Sequence, residues 1–373
     1  MNRNLAPFLV EEWMNQHEER VQINLGETCV DSLTLEELLR MDDPDLTNLS
    51  DLGAIRLSYL PILGSETLRE AIASLYHEIS PTQVIPSHGA IGANHQVIMT
   101  LLSRGDEAVI VMPTYQQHLS LPQSLGVITH EFWLEEGRGY RPDLDRLAEL
   151  ITSDTKLISI VNPNNPTGAR LSRDEMERVV SLAKSVGAYI LADEVYRGLE
   201  EDDEPSFVDL YDKAVSTGSM SKVFSLAGLR LGWIASQDEE LLAAIRSRRD
   251  YDVISIGVLD DYLAGIALKH RQELMARNRP IVARNRKVLL DWAERTPRVR
   301  LVTPVAGTTA LVHYDAPLDS YNFCLRLIED KSVLVTPGDA FGVAKSFRVG
   351  YAYDADQLTM GLEKIAELFL EMA

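Results

Sequence analysis

The sequence predicts an α/β fold: a large domain on a mainly parallel sheet covered by helices, with a smaller α+β domain attached. Three observations carry that expectation. From about residue 84 to residue 249, short apolar runs alternate with amphipathic helical patterns, as strand–helix–strand units require. After a long helical stretch the pattern changes to paired strand-like runs followed by a helix, a strand and a helix. A length of 373 residues, 45% hydrophobic and 25% charged, suffices for one large and one smaller domain whose core needs no cross-links.

In order along the chain, residues 8–19 read as a short amphipathic helix. Thr34 and Glu37 form a capping-box pattern ahead of a second helix. A proline-containing loop then runs into a helix with Leu68, Ile72 and Leu75 on one face. Strands are expected at 107–112, 126–134, 156–161, 187–193, 213–217 and 230–235. Helices are expected at 93–104, 143–152, 173–186 and 237–249, with Ser172 and Glu175 capping the third of these. A helical region over 257–294 carries Pro280, which should kink or interrupt it. Strands near 299–303, 308–313 and 347–351, a helix at 319–330 and a last helix from Asp354 complete the pattern. The domains expected are 46–284 for the large one, and 1–45 with 285–373 for the small one.

Composition narrows the function. A formal charge of −20 argues against nucleic acid or an anionic membrane surface as a partner. Cys29 and Cys324 make no C-x-x-C pair, and the histidines show no ligand spacing, so neither disulfides nor a metal is expected. The first residues are too acidic and too short in apolar run for a signal peptide, and no run approaches the roughly 20 apolar residues of a membrane span. A cytoplasmic location is the expectation. The space before residue 20 also leaves no room for a DNA-binding winged helix.

The chemistry concentrates in a few segments. Residues 216–233, STGSMSKVFSLAGLRLGW, set Lys222 after a run of small residues, with Ser219 and Ser221 before it and Arg230 eight positions on. An amine beside hydroxyls and a cation is a candidate nucleophile next to an anion site. ILADEVYRGL ends a buried apolar run on Asp193, followed by Tyr196; a carboxylate there needs a partner. VNPNNPTG, residues 161–168, is a turn-forming run after another strand. HGAIGANHQVIMTLL, from His88, is a glycine-containing loop entering a helix, whose free amides attract anions. Tyr115 follows the strand AVIVM, Gly26 lies in INLGETCV, and Arg348 lies in KSFRVGYA.

Together these segments, from about residue 22 to residue 352, resemble the class I/II aminotransferases, pyridoxal-phosphate enzymes of fold type I. The resemblance implies that Lys222 holds pyridoxal 5'-phosphate as a Schiff base and moves the substrate's Cα proton. It implies Ser219, Ser221 and Arg230 as phosphate ligands, with Ala90 and Ile91 at the phosphate cup. Many relatives carry a polar side chain where Ile91 stands, so only backbone can donate there. By the same likeness Asp193 faces the ring nitrogen, Tyr196 and Asn165 meet the phenolic oxygen, and Tyr115 stacks on the ring. Arg348 would grip the substrate carboxylate, with Gly26 and Asn165 beside it. Tyr59 would reach the neighbouring subunit's phosphate, which makes a homodimer the expected unit.

The activity implied is transfer of an amino group between an L-amino acid and a 2-keto acid. A looser resemblance to capreomycidine synthase rests on the LGETCVDSLTLEELL segment, EEW near the start and RRDYDVISI at 248–256. It keeps a cyclase, or a β-elimination lyase, open as an alternative, with Cys29, Asp31 and Ser32 as candidate pocket residues. An inactive binding protein of the same fold is the non-enzymatic alternative; the joint presence of Lys222, Asp193, Tyr196 and Arg230 speaks against it. No second arginine for a dicarboxylate substrate is identified, Arg246, Arg248 and Arg249 lying in a helix end.

Overall fold

The computed structural model describes residues 5–46, 49–200 and 205–372. Its centre is a seven-stranded sheet in the order Val84–His88, Leu231–Ser236, Ala214–Ser219, Tyr189–Asp193, Thr155–Val161, Glu107–Met112, Ile128–Trp133. Six of the strands are those expected from the apolar runs, and the four interfaces from Ala214–Ser219 across to Ile128–Trp133 are parallel. Leu231–Ser236 runs antiparallel to both its neighbours, so the sheet is mainly, not wholly, parallel.

Alternation along the strands feeds two apolar layers, because successive side chains leave opposite faces. Ile110, Leu157, Leu191, Val215 and Ile234 meet Ala93, Val97 and Ile98 of the helix Gly89–Leu101 and Leu241, Leu242 and Ile245 of Glu239–Arg249. The intervening Val109, Ile158, Ile190 and Ala192 meet Met176, Val179, Val180 and Ala183 of Arg173–Val186 on the other face. Both expected capping boxes are formed, Thr34 with Glu37 and Ser172 with Glu175.

Three features differ from the sequence expectation. Val84–His88 is an additional edge strand, and Gln117–Leu125 an additional helix. The long helical region breaks at His270, giving Val258–Lys269 and Arg271–Arg295, while Pro280 sits inside the second helix without ending it. Pro280 and Ala276, whose carbonyl loses its helical partner, are both exposed, so the orphaned oxygen lies on the solvent side of the helix. The break falls instead where His270 leaves helical geometry and its ring pairs with Asp42 at 3.0 Å.

A second layer holds an antiparallel sheet, Thr336–Pro337, Ser346–Gly350, Thr309–Tyr314 and Val299–Leu301. It packs on Ser320–Lys331 and Ala355–Glu371 through Phe323, Leu327, Leu362 and Ile365. Trp13, Ile23 and Leu25 join this core, and Ile23–Asn24 pairs in parallel with Val333–Leu334. Val30, Leu38 and Leu39 pack into the larger core, so the amino-terminal segment bridges the two. This bridging carries residues 26–29 to the carboxyl ends of the parallel strands.

Candidate active site

Every parallel strand of the central sheet delivers its next residues to one edge, and a cavity of about 330 Å³ opens there. Gly26, Ala90, Ile91, Tyr115, Asn165, Asp193, Tyr196, Ser219, Ser221, Lys222, Arg230 and Arg348 all line it, so twelve positions drawn from seven separate segments converge. Of the other residues singled out in the sequence, Cys29 also lines it, Asp31 and Ser32 do not, and Tyr59 lies elsewhere and is 82% exposed.

Asp193 closes the strand Tyr189–Asp193 and is 4% exposed. Its Oδ2 accepts from Asn94 Nδ2 at 2.7 Å and meets His118 Nε2 at 3.3 Å, while Oδ1 accepts from the Val195 amide at 3.2 Å. Thr217 Oγ1 donates to Asn94 Oδ1 at 2.7 Å, and Ser159 Oγ lies 2.8 Å from His118 Nδ1, which locks both partners. The adjacent Glu194 leaves the strand end in another direction. Ser206 and Ser216 hold it, and burial pushes its carboxyl above the usual range. Of two neighbouring buried acids, only Asp193 lines this cavity.

Lys222 Nζ donates to Thr28 Oγ1 at 2.7 Å and lies 3.8 Å from Cys29 Sγ. Burial opposes its charge, but Cys29, Tyr196 and Glu27 outweigh burial and hold the ammonium above the ordinary lysine range. Glu27 is the member of that trio that the sequence did not single out. Burial alone would raise its carboxyl, yet the Lys222 ammonium, the Cys29 thiol and the amides of Thr28 and Cys29 hold it at about 2. Those amides donate to Oε1 at 2.7 and 2.8 Å. Burial pushes the Cys29 thiol up to about 11, so it is neutral at pH 7.

At the other end, Gly89 (φ +64°) turns strand Val84–His88 into the helix Gly89–Leu101. A Cβ on Gly89 would lie 3.1 Å from Arg230 Nη2, and one on Gly232 would lie 2.3 Å from the Gly89 carbonyl carbon. Glycine at both positions lets the guanidinium close on a thirteen-residue helix whose first amides have no helical acceptors. Arg230 itself is left-handed, φ +49°, with Nη1 on the Ala227 carbonyl at 2.9 Å. Ser219 and Ser221 are buried, the Ser221 amide donating to Ser219 Oγ at 3.3 Å. A cation, two hydroxyls and a helix amino-terminus form a cup suited to a phosphate.

Arg348 is 4% exposed, on the strand Ser346–Gly350. Its Nη1 donates to Asn165 Oδ1 at 3.2 Å, and Nη2 to the Gly26 carbonyl at 3.0 Å and Thr336 Oγ1 at 3.1 Å. Phe341 lies beneath the guanidinium at 5.3 Å, and Nε is buried with no protein partner. Burial lowers the affinity of this group for its proton, against the pull of Tyr196, Glu27, Tyr115 and Glu11. A buried guanidinium with an unmatched donor beside a cavity is a place for a carboxylate.

The amino-terminal helix Leu9–His17 forms a wall that sequence reading did not assign to the site. Val10, Glu11 and Met14 line the cavity, with Glu18 just beyond. Tyr115 Oη donates to Glu11 Oε1 at 2.6 Å, Phe8 packs on the Tyr115 ring at 4.8 Å, and Gln116 Oε1 accepts from the Leu9 amide. A Cβ on Gly26 would meet Met14 Sδ at 2.9 Å, so glycine there admits this wall. The acidic EEW near the start was the available signal. Among the described residues, no His/Cys/Asp/Glu group is placed to hold a metal, and no helix is long and apolar enough to cross a membrane.

An amine, an acid fixed across the cavity, a phosphate cup and a carboxylate-binding arginine are the parts that an enzyme of pyridoxal phosphate requires. The model of the family "Aminotransferase class I and II" matches residues 22–365, and the chain belongs to that family. Its cofactor is pyridoxal 5'-phosphate, and the cavity fits it: Gly89 and Gly232 leave the cup open, and Asp193 waits at the opposite end. The chain is 30% identical to capreomycidine synthase of Streptomyces vinaceus, over 96% of this chain and 92% of that one. It is 30% identical to aspartate aminotransferase of Thermotoga maritima, covering 83% of each. A crystal structure of a PLP-dependent aminotransferase from Streptococcus suis superposes with TM-score 0.95 and 38% identity, over 99% of both chains.

Proposed function

We propose that this protein is an aminotransferase that moves an amino group between an L-amino acid and a 2-keto acid. The observation that carries the reading is that Lys222, Asp193, Asn165, Tyr196 and Arg348 line one cavity. Lys222 would hold the cofactor covalently; Ser219, Ser221, Arg230 and the amides of Ala90 and Ile91 would hold its phosphate. Asp193 would face the ring nitrogen, Asn165 and Tyr196 the phenolic oxygen, and Tyr115 the ring face. Bound pyridoxal phosphate supplies an electron sink for the pair left on Cα when its proton departs. Arg348, steadied by Gly26, Thr336 and Asn165, grips the substrate carboxylate and so fixes which bond at Cα is presented. Lys222 Nζ then takes the Cα proton, acting as general base and afterwards as acid.

A second reading, a cyclase or β-elimination lyase, draws on the likeness to capreomycidine synthase and on Glu27 and Cys29 beside Lys222. The two readings part on one experiment. Holoenzyme mixed with an amino donor alone should release one equivalent of keto acid and stop, resuming only when a keto acid is added. Continuous release of ammonia or of a cyclised amino acid without acceptor would overturn the transferase reading.

We also propose a homodimer in a reducing, cytoplasmic setting. Tyr59 with Leu57 and Ile62 forms an exposed, partly apolar stretch, and both cysteines are buried free thiols. The residues 46–284 would be the cofactor-binding domain, with 1–45 and 285–373 closing over it. Sedimentation of holoenzyme as a monomer at micromolar concentration would contradict the dimer.

A further inference from the structure

The charges around the cavity sort by position. Among the described lining residues the cations are Lys222, Arg230 and Arg348, and the anions are Glu11, Glu18, Glu27 and Asp193. Arg230 belongs to the phosphate cup, Asp193 to the far end of the cofactor, Lys222 to the covalent link and Arg348 to the substrate carboxylate. The charged lining residues that remain for a substrate side chain, Glu11, Glu18 and Glu27, are all acidic. Glu27 follows Gly26, whose carbonyl is bonded to Arg348, and its carboxylate acts electrostatically on both Arg348 and Lys222 at the cavity wall. Backbone amides of Thr28 and Cys29 fix its Oε1, which keeps the charge in position. Glu18 lies on the facing wall, and Glu11 is engaged by Tyr115. That wall is anchored, because Trp13 Nε1 donates to the Val335 carbonyl at 2.9 Å. The buried, unmatched Arg348 Nε on the same cavity marks it independently as a place where a ligand completes the hydrogen bonding.

We propose that the amino acid accepted here carries a cationic side chain, an ammonium or a guanidinium, recognised by Glu27 with Glu18. The inference rests on reading the cavity as an amino-acid site, and it holds for either outcome at Cα. A dicarboxylic substrate would place its second carboxylate near three glutamates, and among the described lining residues of this chain no further arginine is left to receive it. Glu27 stays ionised throughout the working range, since its carboxyl is held at about 2.

The test uses holoenzyme with L-arginine and L-lysine against L-norleucine, L-aspartate and L-glutamate. Consumption is followed by the absorbance of the bound cofactor, and binding by calorimetry with the α-methyl analogues, which lack the Cα proton. The best basic donor should exceed norleucine at least tenfold, and aspartate at least a hundredfold, in kcat/KM. Glu27→Gln should shrink the basic-to-norleucine ratio at least tenfold, mainly through KM and the calorimetric Kd. Glu18→Gln should shrink it by less. Aspartate or norleucine matching the basic donors, or an equal loss for all donors in Glu27→Gln, would overturn the proposal while leaving the amino-acid site intact. Failure of every amino acid to bind or react would overturn both.

Discussion

Arg348→Lys isolates the contribution of guanidinium geometry from that of charge. In the protein Arg348 is 4% exposed and its two terminal nitrogens are already held by Asn165 Oδ1, the Gly26 carbonyl and Thr336 Oγ1. That framework orients the planar fork before substrate arrives. Lysine keeps a point charge but cannot supply two parallel donors, and it leaves part of the framework without partners. Each charge-assisted hydrogen bond contributes about 1.5–3 kcal/mol. Losing the equivalent of one such bond, with some misorientation, costs about 2–4 kcal/mol, or roughly 30- to 1,000-fold in kcat/KM. The assay is a single-turnover half-reaction with the best amino donor, reading Kd and rate constant separately. A primary amine without a carboxylate serves as control, because Arg348 has nothing to grip in it. Equal losses for the amino acid and the simple amine, or an amino-acid Kd within threefold of wild type, would refute the assigned role.

Three further outcomes follow from the same geometry. Gly232→Ala would push a Cβ to 2.3 Å from the Gly89 carbonyl carbon and 2.5 Å from the Ala90 amide nitrogen, so thermal unfolding should show destabilisation of about 1–3 kcal/mol together with weaker cofactor retention. Unchanged stability and retention would contradict the close approach. Asp193→Asn keeps the shape but sets an amide against Asn94 Nδ2 and His118 Nε2, and kcat should fall about 10²- to 10³-fold with cofactor still bound; a fall under threefold sinks the role. Covalent capture of cofactor by apoprotein needs Lys222 as the neutral amine, and Glu27 helps hold it charged. Stopped-flow loading should therefore quicken about tenfold per pH unit between pH 7 and 9. Glu27→Gln, which lowers the lysine's proton affinity, should load faster than wild type at pH 7; slower loading would reverse the sign.

Much of the site could be read from the chain because its parts are local. Asp193 ends an apolar strand, Lys222 and Arg230 share one short segment, and the Asn165 turn follows another strand. Strand alternation and two capping boxes placed the framework around them. What stayed hidden depends on distant pairings. Lys222 meets Thr28 across 194 positions; Gly26 and Cys29 around it were pocket candidates, but no local pattern gives the bond itself. The edge strand Val84–His88 contains Pro86, which suits only an edge partner and masks the strand pattern. Helix Gln117–Leu125 carries Pro122 and few apolar residues, so its periodicity is weak. At Pro280 the local rule anticipated a break, but the proline lies on the exposed side of the helix, and the chain turns at His270, whose ring pairs with Asp42. The acidic wall of Glu11 and Glu18 lies in a segment read only as a short amphipathic helix, and its position over the cavity depends on distant packing.

The most direct measurement is to reduce the loaded protein with borohydride, digest it, and locate the stable cofactor adduct by tandem mass spectrometry. A single adduct on the peptide containing Lys222 is the expected result, with none in Lys222→Ala. An adduct on Lys156, Lys184 or Lys213, or no adduct at all, would contradict the whole account.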